Sequence, residues 1–345
     1  MDRRQFLGGM AAVGAGAAGL GSALPAQAAD VVIGLSNGYF GSEWRDQMVA
    51  GAQAQFDMYK SEGKASKLIV QQAGADINQQ IQDVRNMILQ GVSVITMDPN
   101  SGTALDSVIN EAKRSGIPVI AFDQAVKNPY ALSITVNHYT WATRYADWVA
   151  KTLNGKGKVV VMDGIPGNPA AETRRRAAHD VFAKYPGIEI VWSGYGYWDQ
   201  AKAQNVMATV IAAQPQIDGA FVEDSMGLGV LRAFQNARRP IPVMTAEAQK
   251  AFLLAWKKEL AGGTNMQAFA QPNPPDISRN AIGVAVRLAA GRKLKPQPDN
   301  TVYYPIHLEV TRDNLDQTLA GMKDKPDSYF LAEWFSEQQL DALFT

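Results

Sequence analysis

VVIGLSNGYFGSEWRDQMVAGA, residues Val31 to Ala52, places a strand, a turn and a helix start in one run. Val31, Val32, Ile33 and Leu35 make an apolar segment of strand length, while Trp44, Met48, Ala52 and Phe56 recur at helical spacing. The loop between them, Ser36 to Glu43, falls at the carboxyl end of a strand. In an open parallel α/β sheet that edge gathers strand ends and helix N-termini, and ligands sit there. Ser42, Trp44 and Arg45 are therefore the first candidate contacts.

Outward from this run the same grammar repeats. Leu68-Ile69-Val70 reads as a strand, and Ile77, Ile81, Val84, Ile88 and Leu89 share one helical face. Val92 to Met97 is a strand ending in Asp98-Pro99-Asn100-Ser101; Ala104 to Arg114 is a helix closed by Gly116, and Pro118 to Phe122 is a strand ending at Asp123. The pattern restarts at Val159 to Met162, with further strands at Ile188 to Trp192, Ala220 to Val222, Val243 to Thr245 and Met266 to Ala270, and helices between them. Repeated βα units with short connections require parallel sheets covered on both faces. Two doubly wound halves in tandem are predicted. After Gln271 the helix carrying Ile277, Ile282, Val286 and Leu288 should return to the first half, and Val302 to Val310 should cross towards the second half or run along the hinge.

The opening residues read as an address. Arg3-Arg4 precede Phe6-Leu7 and a Gly/Ala-rich, weakly apolar run, and Ala26-Gln27-Ala28 has the small-x-small cleavage pattern. This resembles a twin-arginine export signal cut after Ala28, with a periplasmic destination. The chain of 345 residues has no cysteine, which excludes disulfides, thiol nucleophiles and thiolate metal sites. Its 33 basic and 33 acidic residues leave no net charge to attract nucleic acid or an anionic membrane. His138, His179 and His307 lack ligand spacing, so no metal is expected. No cofactor motif follows the first strand, and no nucleophile elbow or Walker loop occurs.

Asp123, Asn137, Asp224, Glu247 and Gln271 fall at or just past predicted strand ends, and Trp44 and Trp198 add flat apolar faces. Carbohydrate needs this mixture, because hydroxyls donate and accept at once while the C–H face of a sugar packs on an indole. Short polar residues also cap helices and start turns. Asp98 and Asn100 are read that way here. Core packing explains Trp44 nearly as well as stacking does.

Gly116-Ile117-Pro118-Val119-Ile120-Ala121-Phe122-Asp123, Gln90-Gly91-Val92, Leu228 to Phe234 and Ala270-Gln271-Pro272, in unbroken order with the opening run, resemble the ribose-binding branch of the periplasmic sugar-binding proteins. The resemblance implies an α/β fold of two Rossmann-like doubly wound parallel-sheet lobes joined by a three-crossing hinge. Lobe boundaries become residues 30–136 plus 272–302, and 137–271 plus 303–345 with a C-terminal extension. It also implies an extracytoplasmic receptor, a monomer with no enzymatic activity, that delivers a monosaccharide or polyol to an ABC permease in the inner membrane. By resemblance the sugar-sandwiching aromatic pair maps to Trp44 and Arg45, the hydroxyl acceptor to Asp123, the residue after the first crossing to Asn137, the second stacking ring to Trp198 and the hinge glutamine to Gln271. The family's arginine falls at Glu172 with Arg174 two residues on, and Ala246 replaces an expected aspartate beside Glu247. Glu223, Asp224 and Ser225 share the shortened turn after Phe221. The alternative is an exported carbohydrate-active enzyme using Asp123 with Glu172 or Glu247.

Overall fold

A computed structural model describes residues 30–345. The expected export signal, residues 1–28, lies outside the described residues. In the first half the order is β1 (Val32–Asn37), α1 (Glu43–Ser61), β2 (Lys67–Gln72), α2 (Ile77–Leu89), β3 (Val94–Asp98), α3 (Asp106–Arg114), β4 (Val119–Phe122) and β5 (Leu132–Thr135). The second half runs α4 (His138–Thr152), β6 (Lys156–Asp163), α5 (Pro169–Phe182), β7 (Gly187–Tyr195), α6 (Gln200–Ala213), β8 (Gly219–Val222), α7 (Met226–Asn236), β9 (Val243–Ala246), α8 (Lys250–Ala261) and β10 (Ala268–Ala270). Then come α9 (Ile277–Ala289), β11 (Thr301–Tyr303), α10 (Leu315–Gly321) and α11 (Glu337–Ala342).

The strands form two parallel sheets in the orders β11-β5-β4-β3-β1-β2 and β10-β9-β8-β6-β7. Each sheet is covered on both faces, as continuous apolar strands require. In the first lobe Trp44, Met48 and Phe56 of α1 pack with Ile282 of α9 on one face, and Val84, Met87 and Ile109 of α2 and α3 cover the other. In the second, α6, α7 and α8 cover one face and α4 with α5 the other. In both sheets the chain leaves the first strand to one side and returns on the other, giving switch points between β1 and β3 and between β6 and β8. A crevice opens outside the carboxyl ends at such points.

The chain crosses between lobes at Val136–Asn137, after β10, and after β11, where Val310 pairs with Ala270 through N–H···O bonds of 2.7 and 3.0 Å. The C-terminal extension departs from the expected assignment of 303–345 to the second lobe. α10 packs on α8, but Phe330, Leu340 and Phe344 are buried in the core of the first lobe. Between them the backbone bonds both lobes: Lys250 N–H donates to the Tyr329 carbonyl at 2.8 Å, and Gln47 of α1 accepts from Phe330 N–H at 2.9 Å while donating to its carbonyl at 3.0 Å. The reason is apolar burial. α9 offers the small Gly283, and the Leu340 side chain fills the space above it.

Candidate functional site

In the first lobe, β1 ends at Asn37 beside Asp98, the last residue of β3. Gly38 follows, and its N–H donates to the Asp98 carbonyl at 2.9 Å. A Cβ at Gly38 would stand 2.7 Å from that oxygen, so the turn requires glycine. Ser42 caps α1, accepting from Arg45 N–H at 3.3 Å, which fixes Arg45 on the first turn above the sheet end. Its guanidinium pairs with the buried Asp98 carboxylate, lies 3.9 Å from Asp123 Oδ2, and sits 4.8 Å from the centre of the Trp44 ring. Trp44 is buried in the core, and its indole N–H donates to the Asn273 carbonyl at 2.7 Å. Asp123 is held in the left-handed region, φ 60°, and its carboxylate accepts from Asn273 Nδ2 at 3.0 Å and Gln124 Nε2 at 2.8 Å.

In the second lobe, Arg174 projects from α5 towards the β6/β8 switch point and donates to Glu223 Oε2 at 2.6 Å. The other oxygen of Glu223 accepts from Gly164 N–H at 2.8 Å. Arg174 also lies 4.4 Å from the centre of the Trp141 ring and 3.1 Å from His138 Nδ1. Tyr197 and Trp198 both take left-handed backbone, φ 63° and 52°, and the Trp198 indole packs closely against Gly164. Asp224, at φ 55°, accepts from Ser225 N–H at 2.6 Å, and Ser225 Oγ donates to the Trp198 carbonyl at 2.9 Å.

The two sets face one narrow interlobe cavity. Of the expected residues, Ser42, Trp44, Arg45, Asp123, Arg174, Trp198 and Asp224 line it, joined by Tyr39, Gln124 and Asn273. Four expectations lie elsewhere. Asn137 is exposed and caps α4 through Thr140 N–H at 3.0 Å; Glu172 is exposed on α5, accepting from Gly167 N–H at 3.0 Å and Tyr195 Oη at 3.1 Å. Gln271 borders a separate hollow behind the hinge with Trp141, Arg144 and Tyr304. Glu247 is buried behind the cavity, accepting from Asn273 N–H at 3.0 Å. Asp98 in turn departs from its turn-residue reading, because burial beside Arg45 leaves it no solvent to face. Asn273 was missed, although a polar residue one step past Gln271-Pro272 at a lobe crossing was a usable signal. Tyr39 and Gln124 directly follow singled-out turns, and nothing in their spacing distinguishes them.

Burial and charge set the titration of these groups. Burial alone would raise Asp123, but Arg45, His138, Arg174 and the Asn273 amide outweigh it and hold the carboxyl below its ordinary value. Burial raises Asp224 to about 6, lifts Glu223, and lifts Glu247 well above the carboxylate range. Asp163, at the end of β6, is pushed to about 8 by burial and by Glu223. Burial lowers Arg45 despite its carboxylate neighbours, whereas Glu223 overcomes the same cost at Arg174 and raises it. The cavity thus presents guanidinium and amide donors, ionised acceptors and indole surface from both lobes, a set that matches a compact polyhydroxylated molecule. Among the described residues no cluster suits a metal ion, and no helix is long and apolar enough to cross a membrane.

Residues 33–293 match a periplasmic binding protein domain. A xylitol-binding protein of Mycolicibacterium smegmatis is 30% identical over 254 residues, 72% of this chain and 70% of that protein. An ABC transporter solute binding protein from Thermobispora bispora superposes with a TM-score of 0.81 at 27% identity, covering 91% of this chain and 94% of the other. A periplasmic solute binding protein from Actinobacillus succinogenes, solved with bound D-allose, gives a TM-score of 0.71 at 25% identity over 84% of this chain and all of the other.

Proposed function

The chain belongs to the periplasmic binding protein family, and from that premise we propose that it captures a monosaccharide or polyol between its lobes and delivers it to an ABC importer. The observation that carries this reading is the convergence of Arg45, Asp123 and Asn273 from one lobe side with Arg174, Trp198 and Asp224 from the other on one cavity. A ligand touching both sets gains its full contact energy only when the lobes are together, so binding shifts the population towards the closed form. The closed form is what a permease in the inner membrane would recognise. Family membership supports a receptor, and both partners proposed for Asp123 in the enzyme alternative lie outside the cavity, Glu172 exposed on α5 and Glu247 buried behind Asn273.

Asp123 is the hydroxyl acceptor in this proposal, ionised and already oriented by Asn273 and Gln124. Arg45 supplies donors to ring or chain oxygens, and Trp198 supplies the stacking face. Trp44 contributes an edge and holds Arg45 on its ring, since its indole is committed to the core and to Asn273. With Asp98 and Glu223 already balancing the two arginines, a neutral ligand fits better than an anion. Residues 1–28 are proposed to direct twin-arginine export and to be cleaved after Ala28, the mature chain acting as a monomer in the periplasm. Thermal shift with a panel of pentoses, hexoses and polyols that includes xylitol, D-ribose and D-allose tests the reading: stabilisation by at least one is expected, and stabilisation by none would refute it.

A further inference from the structure

His138 opens α4 immediately after the first lobe crossing, and its ring turns back between the lobes. Nε2 lies 3.1 Å from the Asp123 carbonyl and 3.3 Å from Thr135 Oγ1. The Thr135 hydroxyl spends its proton on the same carbonyl at 2.5 Å, so both neighbours of Nε2 are acceptors and Nε2 carries the hydrogen. Nδ1 faces Nε and Nη2 of Arg174 at 3.2 and 3.1 Å. A guanidinium has donors only, so Nδ1 must offer a lone pair. One state satisfies every partner, the neutral imidazole with hydrogen on Nε2. An imidazolium would aim an N–H and a positive charge at Arg174.

We infer that His138 is a positioning residue: its neutral ring ties the Asp123 strand end of the first lobe to the Arg174 guanidinium of the second and sets the spacing of the two cavity walls. The inference rests on the receptor reading for its effect on sugar affinity, while the ring's tautomer and its tie to Arg174 are testable without any sugar. The charged groups around the ring are Asp123, with Arg45 behind it, from the first lobe, and Arg174, backed by Glu223 and Asp224, from the second. On its own helix Asn137 caps the first turn and Tyr139 turns outward to Asp180. Burial and Arg174 lower the His138 pKa to about 4 against the pull of Asp123.

Nitrogen-15 spectra of the histidine rings, assigned with His138→Asn, should show the Nε2–H tautomer at neutral pH. In Arg174→Gln the His138 midpoint should rise by about one unit or more, because a like charge has gone; in Arg174→Lys it should stay low. The opposite tautomer, or a midpoint indifferent to Arg174→Gln, would overturn the inference even if no sugar binds. In calorimetry with the best binder among xylitol, D-ribose and D-allose, His138→Leu should weaken affinity about tenfold or more. Wild-type affinity should fall in acid as the ring protonates near its lowered pKa of about 4; His138→Asn, whose amide oxygen can replace the Nδ1 lone pair, should stay within about threefold of wild type at neutral pH and lose the part of that acid decline that comes from the ring. Leu binding like the wild type, or an unchanged acid decline in Asn, would count against it.

Discussion

In the first lobe the helix after the opening strand carries Arg45, which meets Asp98 at the end of β3; in the second the helix after the opening strand carries Arg174, which meets Glu223 just past β8. Each guanidinium also lies over a tryptophan, Trp44 or Trp141. The parts and their places at the two switch points match, but the energetic balance differs. Glu223 holds Arg174 at 2.6 Å and is itself anchored by Gly164, with His138 on the other edge, so the cation is satisfied within the protein. Arg45 divides itself between Asp98 and a more distant Asp123, and burial lowers it. The lesson is that equal composition does not mean equal role: Arg174 is framework, and Arg45 is the cation that ligand oxygens would complete.

The largest test of that contrast removes the acids. Glu223→Ala strands a fully buried charge and should cost about 3–5 kcal/mol in denaturant unfolding, whereas Asp98→Ala should cost roughly half as much because Asp123 remains within reach. Equal losses would erase the distinction. Next comes the neutral position of each switch point. Asn37 ends β1 as an amide donating to Gln72 at 3.2 Å, and Asp163 ends β6 as a buried acid near pKa 8. Because folding raises that pKa, its contribution is present below the unfolded value and is lost as pH rises through about 8. Asp163→Asn should therefore give a stability gain that grows between pH 4 and 8 by about 1.4 kcal/mol per pH unit at most and levels above; a pH-independent difference would contradict the assignment.

Smaller effects refine the ligand side. Arg45→Lys keeps the charge beside Asp98 but loses the fork, and calorimetry should show sugar affinity falling about tenfold with little change in melting temperature. The same substitution at Arg174 should instead lower the melting temperature. Trp44→Phe removes the indole bond to the Asn273 carbonyl and should cost about 1 kcal/mol of stability, with sugar affinity almost unchanged; a large affinity loss would restore Trp44 as a stacking plate.

The alternation of strand and helix was legible because buried parallel strands need continuous apolar runs and each helix shows one apolar face. The strand-end residues Asp123 and Asp224 were legible for the same reason, since the topology dictates where those ends converge, whereas the place of Trp198 came from the family resemblance. Asp98 was discounted although it ends β3 in register with Asn37, the last residue of β1; a carboxylate after a strand has the same local signature whether it starts a turn or neutralises an arginine from another helix. His138 stood out only as a neighbour of Asn137, because its contacts to the Asp123 carbonyl and Arg174 depend on long-range packing that spacing does not record. The residue-by-residue mapping placed Asn137 and Glu172 in the cleft, but capping α4 and bonding Tyr195 hold them outside it. The return of Phe330 and Leu340 to the first lobe depends on long-range burial that carries no periodic mark.

The most direct measurement is calorimetric titration of the intact protein with pentoses, hexoses and polyols, xylitol, D-ribose and D-allose among them, with recovery of the sugar afterwards and Asp123→Ala in parallel. One sugar or polyol should bind once per chain and return unaltered, and Asp123→Ala should weaken it about tenfold or more while its circular dichroism stays native. Binding undiminished in Asp123→Ala, turnover of the bound sugar, or no binding by any member of the panel would contradict the account.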